Sequence, residues 1–236
     1  MSKDPDTKYH LEQETEPPKM YIEDNFRAEI ARKLFHLTSL AFPLIYFFIS
    51  RQLALQILIP ITLAILFMDI AKNFHRPSAE FFYRTFAYIL RRYERSAQIK
   101  DLNGVTCFFI AATFCTLVFP KYITILSFLI LTFSDTASAL IGRRFGRTKI
   151  KGRSVEGGVA FVIAALIIVL LTPKIEYRFG EYLIGSIAAV AGAVTEILAG
   201  DKINDNILIP IMVGATLWFF YFLIYPSMNL YRFDII

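Results

Sequence analysis

The chain has 236 residues, 56% of them hydrophobic and 19% charged, with a mean hydropathy of +0.50. The apolar excess comes in long blocks, which excludes an ordinary soluble domain and points to an α-helical membrane protein. The net charge of +5 then speaks first for membrane orientation and phospholipid contact, not for nucleic acid.

Residues 1–26 are polar, mixed in charge and carry no apolar core before a cleavage site. They read as a flexible cytosolic tail rather than a signal peptide, ahead of an integral membrane domain over 27–236. Apolar runs then predict seven spans, near 34–50, 52–70, 104–120, 122–141, 157–173, 182–199 and 207–225. Pro60 falls inside the second and predicts a kink, while Pro120 and Lys121 predict a tight turn between the third and fourth. Residues 77–100 place Phe82, Phe86, Ile89 and Tyr93 at helical spacing among four arginines. That pattern is an amphipathic helix along the membrane surface, or simply a connecting helix. Cys107 and Cys115 share one run and lie about 12 Å apart along a helix, too far to bridge. No Cys/His metal spacing occurs.

Charge sets the orientation. With the N-terminus inside, the cytosolic segments hold twenty Lys and Arg and the opposite side holds five, as the positive-inside rule requires. The expected fold is therefore all-α and polytopic, with about seven transmembrane helices, a cytosolic N-terminus and an amphipathic surface helix.

This topology brings three acids to equivalent depths. Asp69, Asp135 and Glu196 each end an even-numbered run, at the cytosolic boundary. Acids at such depth are costly unless paired or functional. Each alone can be an ion-pair partner; together they suggest a shallow cluster able to hold Mg²⁺ through oxygen. Basic residues face them. Arg27, Arg32, Lys33 and His36 enter the first span, with Arg32 and His36 on one helical face. Six basic residues follow Asp135 within eleven positions: Arg143, Arg144, Arg147, Lys149, Lys151 and Arg153. Asp135, Ser138, Ala139 and Gly142 form a stripe of small residues where a phosphate or metal can approach the backbone. Ser154 and Gly157 open the fifth span and offer free N–H groups to an anion. The loop is not a Walker A motif, because five residues separate its glycines and Arg153 stands where the lysine belongs. A basic loop for anionic lipid heads is the alternative. Finally Glu196, Asp201, Asn204, Asp205 and Asn206 make the one inside loop that is not basic, suited either to a metal–nucleotide site or to capping the last helix. Phosphoryl transfer needs positioning, charge neutralisation and metal, and no Ser/His/Asp or Cys/His constellation competes.

Four segments in order, "EIARKLFH", "LNGVT", "SDTASALIGRRFGRTKIKGRSVEGGVAF" and "TEILAGDKINDN", resemble the motifs of the CTP-dependent lipid alcohol kinases: dolichol kinase, phytol kinase and fungal-type diacylglycerol kinase. The similarity covers roughly residues 28–215, and the middle of the chain looks closest to the diacylglycerol kinase branch. It implies CTP as phosphate donor, Mg²⁺, and a membrane lipid alcohol as acceptor, either diacylglycerol or a polyprenol. It also implies site residues: Arg32 and Lys33 as the basic pair, and Asp135, Gly142, Arg143, Gly146, Ser154 and Gly157 as the core. Glu196, Asp205 and Asn206 match the C-terminal motif.

The resulting expectation has Asp135, Arg32 and Lys33 catalytic. Ser138, Gly142, Arg143, Arg144, Gly146, Lys149, Lys151, Ser154, Gly157 and Asn206 would bind nucleotide or phosphate. Asp135, Glu196 and Asp205, with Asp69 and Asp201 as further candidates, would hold the metal. A phosphatidate cytidylyltransferase shares CTP, Mg²⁺ and part of the motif set, although "GDKINDN" fits its signature poorly. A lipid-binding scaffold or transporter is the non-enzymatic alternative; a transporter, however, gathers its polar groups at mid-membrane. The site is expected to face the cytosol from a plasma, inner or ER-type membrane.

Overall fold

The computed structural model describes residues 36–71, 102–199 and 204–235. A helix occupies each of the seven apolar runs. They are α1 (Ala41–Phe48, entered through a 3₁₀ turn at Thr38–Leu40), α2 (Arg51–Ala71), α3 (Gly104–Val118), α4 (Lys121–Phe145), α5 (Val155–Leu171), α6 (Phe179–Ala199) and α7 (Asp205–Ile224). Four of them, α2, α4, α6 and α7, are long and apolar enough to cross a membrane, whereas α1, α3 and α5 are apolar but shorter. The expected tail at 1–26 and the amphipathic helix at 77–100 lie outside the described residues.

Pro60 lies inside α2, which runs on through it to Ala71. One detail departs from the sequence reading. The fold is not purely helical: Lys149–Ile150 (β1) pairs antiparallel with Arg153–Ser154 (β2). Lys151 and Gly152 join the strands, both with positive φ (49° and 86°), the two-residue turn whose twist suits a tight hairpin.

Helix α4 lies at the centre. From Lys121 to Thr132 all its residues are buried except Ile125 and Leu129, which are half-buried. Helices α5 and α6 form an antiparallel pair packed through glycines. A Cβ on Gly158 would lie 2.6 Å from Ile197, and one on Gly185 would lie 2.5 Å from Val169, so small residues let the backbones approach as membrane helices do. Phe42 of α1 and Phe108 of α3 stack edgewise on Phe128 of α4, at 4.8 and 5.3 Å, which fixes the short α1 against the core. Outward-facing side chains are apolar and large: Phe48, Phe67, Leu171 and Phe222 are each more than 70% exposed. Such a surface suits lipid, not water. Cys107 and Cys115 are buried and unbridged, as their spacing requires.

One end of the bundle is closed by internal charges. Glu181 accepts hydrogen bonds from the backbone N–H groups of Ile175, Glu176 and Arg178 and from the Tyr221 hydroxyl. Lys174 donates to the carbonyls of Val169 and Thr172 and lies 4.6 Å over the Tyr182 ring. Burial pushes the Lys174 pKa down, opposed by Glu181. Nearby, Asp234 accepts from the Lys121 backbone N–H at 2.9 Å and pairs with Arg51 at 3.5 Å, latching α2 to α4.

Candidate active site

The other end gathers the C-termini of α2, α4 and α6 and the N-termini of α3, α5 and α7. Each of these N-termini is capped by a polar side chain. Asn103 accepts from Val105 and Thr106, Ser154 from Gly157, and Asn204 from Asn206. Three helix N-termini therefore turn their partial positive charge toward one place. Four buried acids meet it: Asp69, Asp135, Glu196 and Asp205.

Arg153 organises this end. The hairpin turns it inward, while Arg143, Arg144, Arg147, Lys149 and Lys151 stay exposed around it. Its guanidinium hydrogen-bonds Asp205 and lies 3.7 Å from Glu196. Burial works against the Arg153 cation, but the carboxylates of Asp205, Glu196 and Asp135 outweigh it and raise its pKa above the ordinary arginine value. Ser138 donates to Glu196 at 2.6 Å, and His36 Nε2 lies 3.4 Å from Asp135. Elements far apart in sequence thus present Asp135, Glu196 and Asp205 around one cation.

The two ends treat their buried acids differently. Glu181 has partners for both oxygens. Glu196 Oε2, by contrast, is buried with no hydrogen-bond partner among the described residues, and so is Arg153 Nε. An unsatisfied buried carboxylate oxygen is costly and calls for a partner such as a water or an ion. The donor set fits Mg²⁺ in one respect, since the acids supply hard oxygen. Among the described residues no group of three His, Cys, Asp or Glu is placed to hold a metal ion. That combination suits a magnesium held by one or two carboxylates and completed by substrate phosphates.

Other expected site residues also make packing contacts. Ser154 lies directly beside Gly142. A Cβ there would lie 2.6 Å from Ser154 Oγ, and one on Gly146 would lie 2.6 Å from Ser154 Cβ. Gly157 likewise packs on Ser138, at 3.0 Å from a built Cβ. The small-residue stripe is therefore the seat of the α5 N-terminus on α4. Gly142→Ala should lower thermal stability by about 1–3 kcal/mol through this clash, read as a fall in the thermal midpoint of the purified protein; an unchanged midpoint would refute the packing role. Asn206 donates its side-chain amide to the Gly104 carbonyl at 2.9 Å. Asp69 accepts from the Asn103 backbone N–H at 2.9 Å and so holds the start of α3 beside the site. Arg32, Lys33 and Asp201 lie outside the described residues.

The structure singles out His36 and Arg153 from the basic residues that the sequence groups together. The signal for Arg153 was the Lys-Gly turn before it, which directs the following strand back toward the helices. His36 had none beyond its helical phase with Arg32.

No protein-family model matches the chain, and no solved structure matches it. An uncharacterised protein of Rickettsia prowazekii is 29% identical over 189 residues, covering 80% of this chain and 92% of that protein. The CTP-dependent diacylglycerol kinase 1 of Saccharomyces cerevisiae is 30% identical over 135 residues, or 56% of this chain. That match takes in 46% of the yeast protein, so the chain spans about half the length of this relative. Over the matched part the chain is similar to a CTP-dependent lipid kinase, with helices long and apolar enough to sit in a membrane.

Proposed function

We propose that the chain is a membrane-embedded kinase that moves the γ-phosphate of CTP to a lipid hydroxyl, with diacylglycerol as the favoured acceptor and a polyprenol as the other. The observation that carries this reading is the set of buried acids around Arg153, ringed by exposed basic residues at the mouth of three helix N-termini. Such a place suits a triphosphate from one side and a lipid from the other. The yeast relative's name supports CTP and diacylglycerol for that protein, and the proposal extends them to this chain.

In this reading Asp135 orients the lipid hydroxyl and His36, 3.4 Å away, takes its proton. The hydroxyl oxygen bonds the γ-phosphorus, the bond to the β–γ bridging oxygen breaks, and CDP leaves. Arg153, with Arg32, Lys33, Arg143, Arg144, Lys149 and Lys151, neutralises charge on the phosphates, as phosphoryl transfer demands. Glu196 and Asp205 are the carboxylates that would hold Mg²⁺, with Asp135 beside them. Bound with the nucleotide, the ion would stabilise charge developing on the phosphate oxygens. The N-terminus and this site would face the cytosol, with α1, α3 and α5 completing seven spans.

The test is direct. Purified protein in lipid vesicles, given γ-labelled CTP and diacylglycerol or a polyprenol, should transfer the label to the lipid and release CDP. Release of pyrophosphate with formation of a CMP-lipid would assign a cytidylyltransferase instead. No transfer and no CTP binding would return the chain to the scaffold or transporter class.

A further inference from the structure

Arg153 already stands against the carboxylates that the proposed function gives to a metal ion. Its guanidinium hydrogen-bonds Asp205 Oδ2 and lies 3.7 Å from Glu196 Oε1. Both acids are buried. Magnesium is held through carboxylate oxygen, so an ion drawn to this pair meets a like charge already in place. Repulsion between two cations is strong where water is scarce.

The arginine leaves part of the seat unmet. Ser138 and Arg153 both approach Glu196 Oε1, at 2.6 and 3.7 Å. Glu196 is 1% exposed, and its other oxygen, Oε2, is buried with no hydrogen-bond partner among the described residues. Arg153 Nε is likewise buried and unmet. One group therefore needs a cation or a donor, and its neighbour needs an acceptor. A metal-bound phosphate carries both.

The arginine is also the part that can move. Ser154, next in the chain, packs on Gly142 and Gly146 and caps α5, so the strand is held in place. The Arg153 side chain is 20% exposed and rotates on a long, flexible stem. Glu196 and Asp205 together carry two negative charges against one on Arg153, and a divalent ion matches both. A bare ion, however, brings no anion to receive the displaced arginine, and a buried charge without a partner is costly. A metal-bound triphosphate supplies that anion.

We infer that Arg153 is an internal substitute for the metal: it holds Glu196 and Asp205 until a metal-bound triphosphate takes the acids and draws its guanidinium onto the phosphates. Bare divalent cations are thereby kept out. The inference rests on the kinase reading for the nature of the triphosphate, but the exchange of one cation for another is read without turnover.

The full chain, purified in detergent, is titrated without nucleotide with Mn²⁺, followed by electron paramagnetic resonance. Arg153→Gln should bind Mn²⁺ about tenfold or more tighter than the parent, because a like charge has been removed. Added Mg²⁺ should raise the thermal midpoint of this variant by several degrees and leave that of the parent unchanged, since only the variant binds the ion. The triple variant Arg153→Gln, Glu196→Gln, Asp205→Asn should lose both responses. Should Arg153→Gln not fold, Arg153→Lys keeps a charge with a poorer grip on two carboxylates and should bind Mn²⁺ several-fold tighter than the parent. Equal Mn²⁺ affinity in the parent and these variants would overturn the exchange, and would leave the kinase reading standing if γ-labelled CTP still labels lipid. Tighter Mn²⁺ binding in the variants, with a parent that neither binds CTP nor phosphorylates lipid, would keep the cation exchange and remove the kinase reading.

Discussion

Asp135→Asn should lower turnover by about a thousandfold, in the range expected for losing a positioned acid–base group, while expression and thermal midpoint stay near those of the parent. The substitution is nearly isosteric and keeps hydrogen-bonding capacity, so it removes charge more than packing. Asp135 is 4% exposed, its carboxylate faces His36 at 3.4 Å, and its field helps keep Arg153 charged. In the proposed reaction the asparagine can still meet the hydroxyl but cannot stabilise a protonated imidazole beside it. The measurement is kcat with γ-labelled CTP in vesicles, alongside nucleotide binding. Turnover within a few-fold of the parent would remove Asp135 from the chemistry and leave it as a structural partner of His36.

Arg153→Gln should be the most destabilising single change at this end, at about 3–5 kcal/mol, the usual cost of stripping one partner from a buried ion pair. Its loss leaves Glu196 and Asp205, 1% and 7% exposed, facing each other without their shared cation. Lysine is not an adequate substitute, because a single ammonium cannot serve two carboxylates with the geometry of a guanidinium. Neutralising the acids as well separates stability from catalysis. The triple variant Arg153→Gln, Glu196→Gln, Asp205→Asn should recover much of the thermal midpoint and stay inactive. If Arg153→Gln alone melts with the parent, the arginine is not the organiser that its contacts describe.

Seven apolar runs were legible because hydropathy reports burial in lipid directly. The run at 104–120 became Gly104–Val118, and 182–199 became Phe179–Ala199. The grouping of the acids was legible in part. Asp135 and Glu196 end apolar runs and come to the same place. Asp69 also ends one but holds the Asn103 N–H, and Asp205, from the start of α7, joins Glu196 at Arg153 instead. The role of each basic residue was not. Six Lys and Arg within eleven positions look alike in sequence, and the one that turns inward is chosen by a positive-φ turn at Lys151 and Gly152. Likewise His36 meets Asp135 only because Phe42 seats α1 on Phe128 of α4. Gly142 shows a different limit. A bare backbone position reads equally as room for a ligand or room for a neighbouring helix, and here Ser154 lies beside it.

Asp234 gives the latch between α2 and α4 a place in the order of synthesis. Its carboxylate reaches the Lys121 N–H and the Arg51 guanidinium, yet it is translated after all seven helices. Domains form progressively while the chain emerges, so any contact that α2 and α4 make before residue 234 is in place forms with this joint still open.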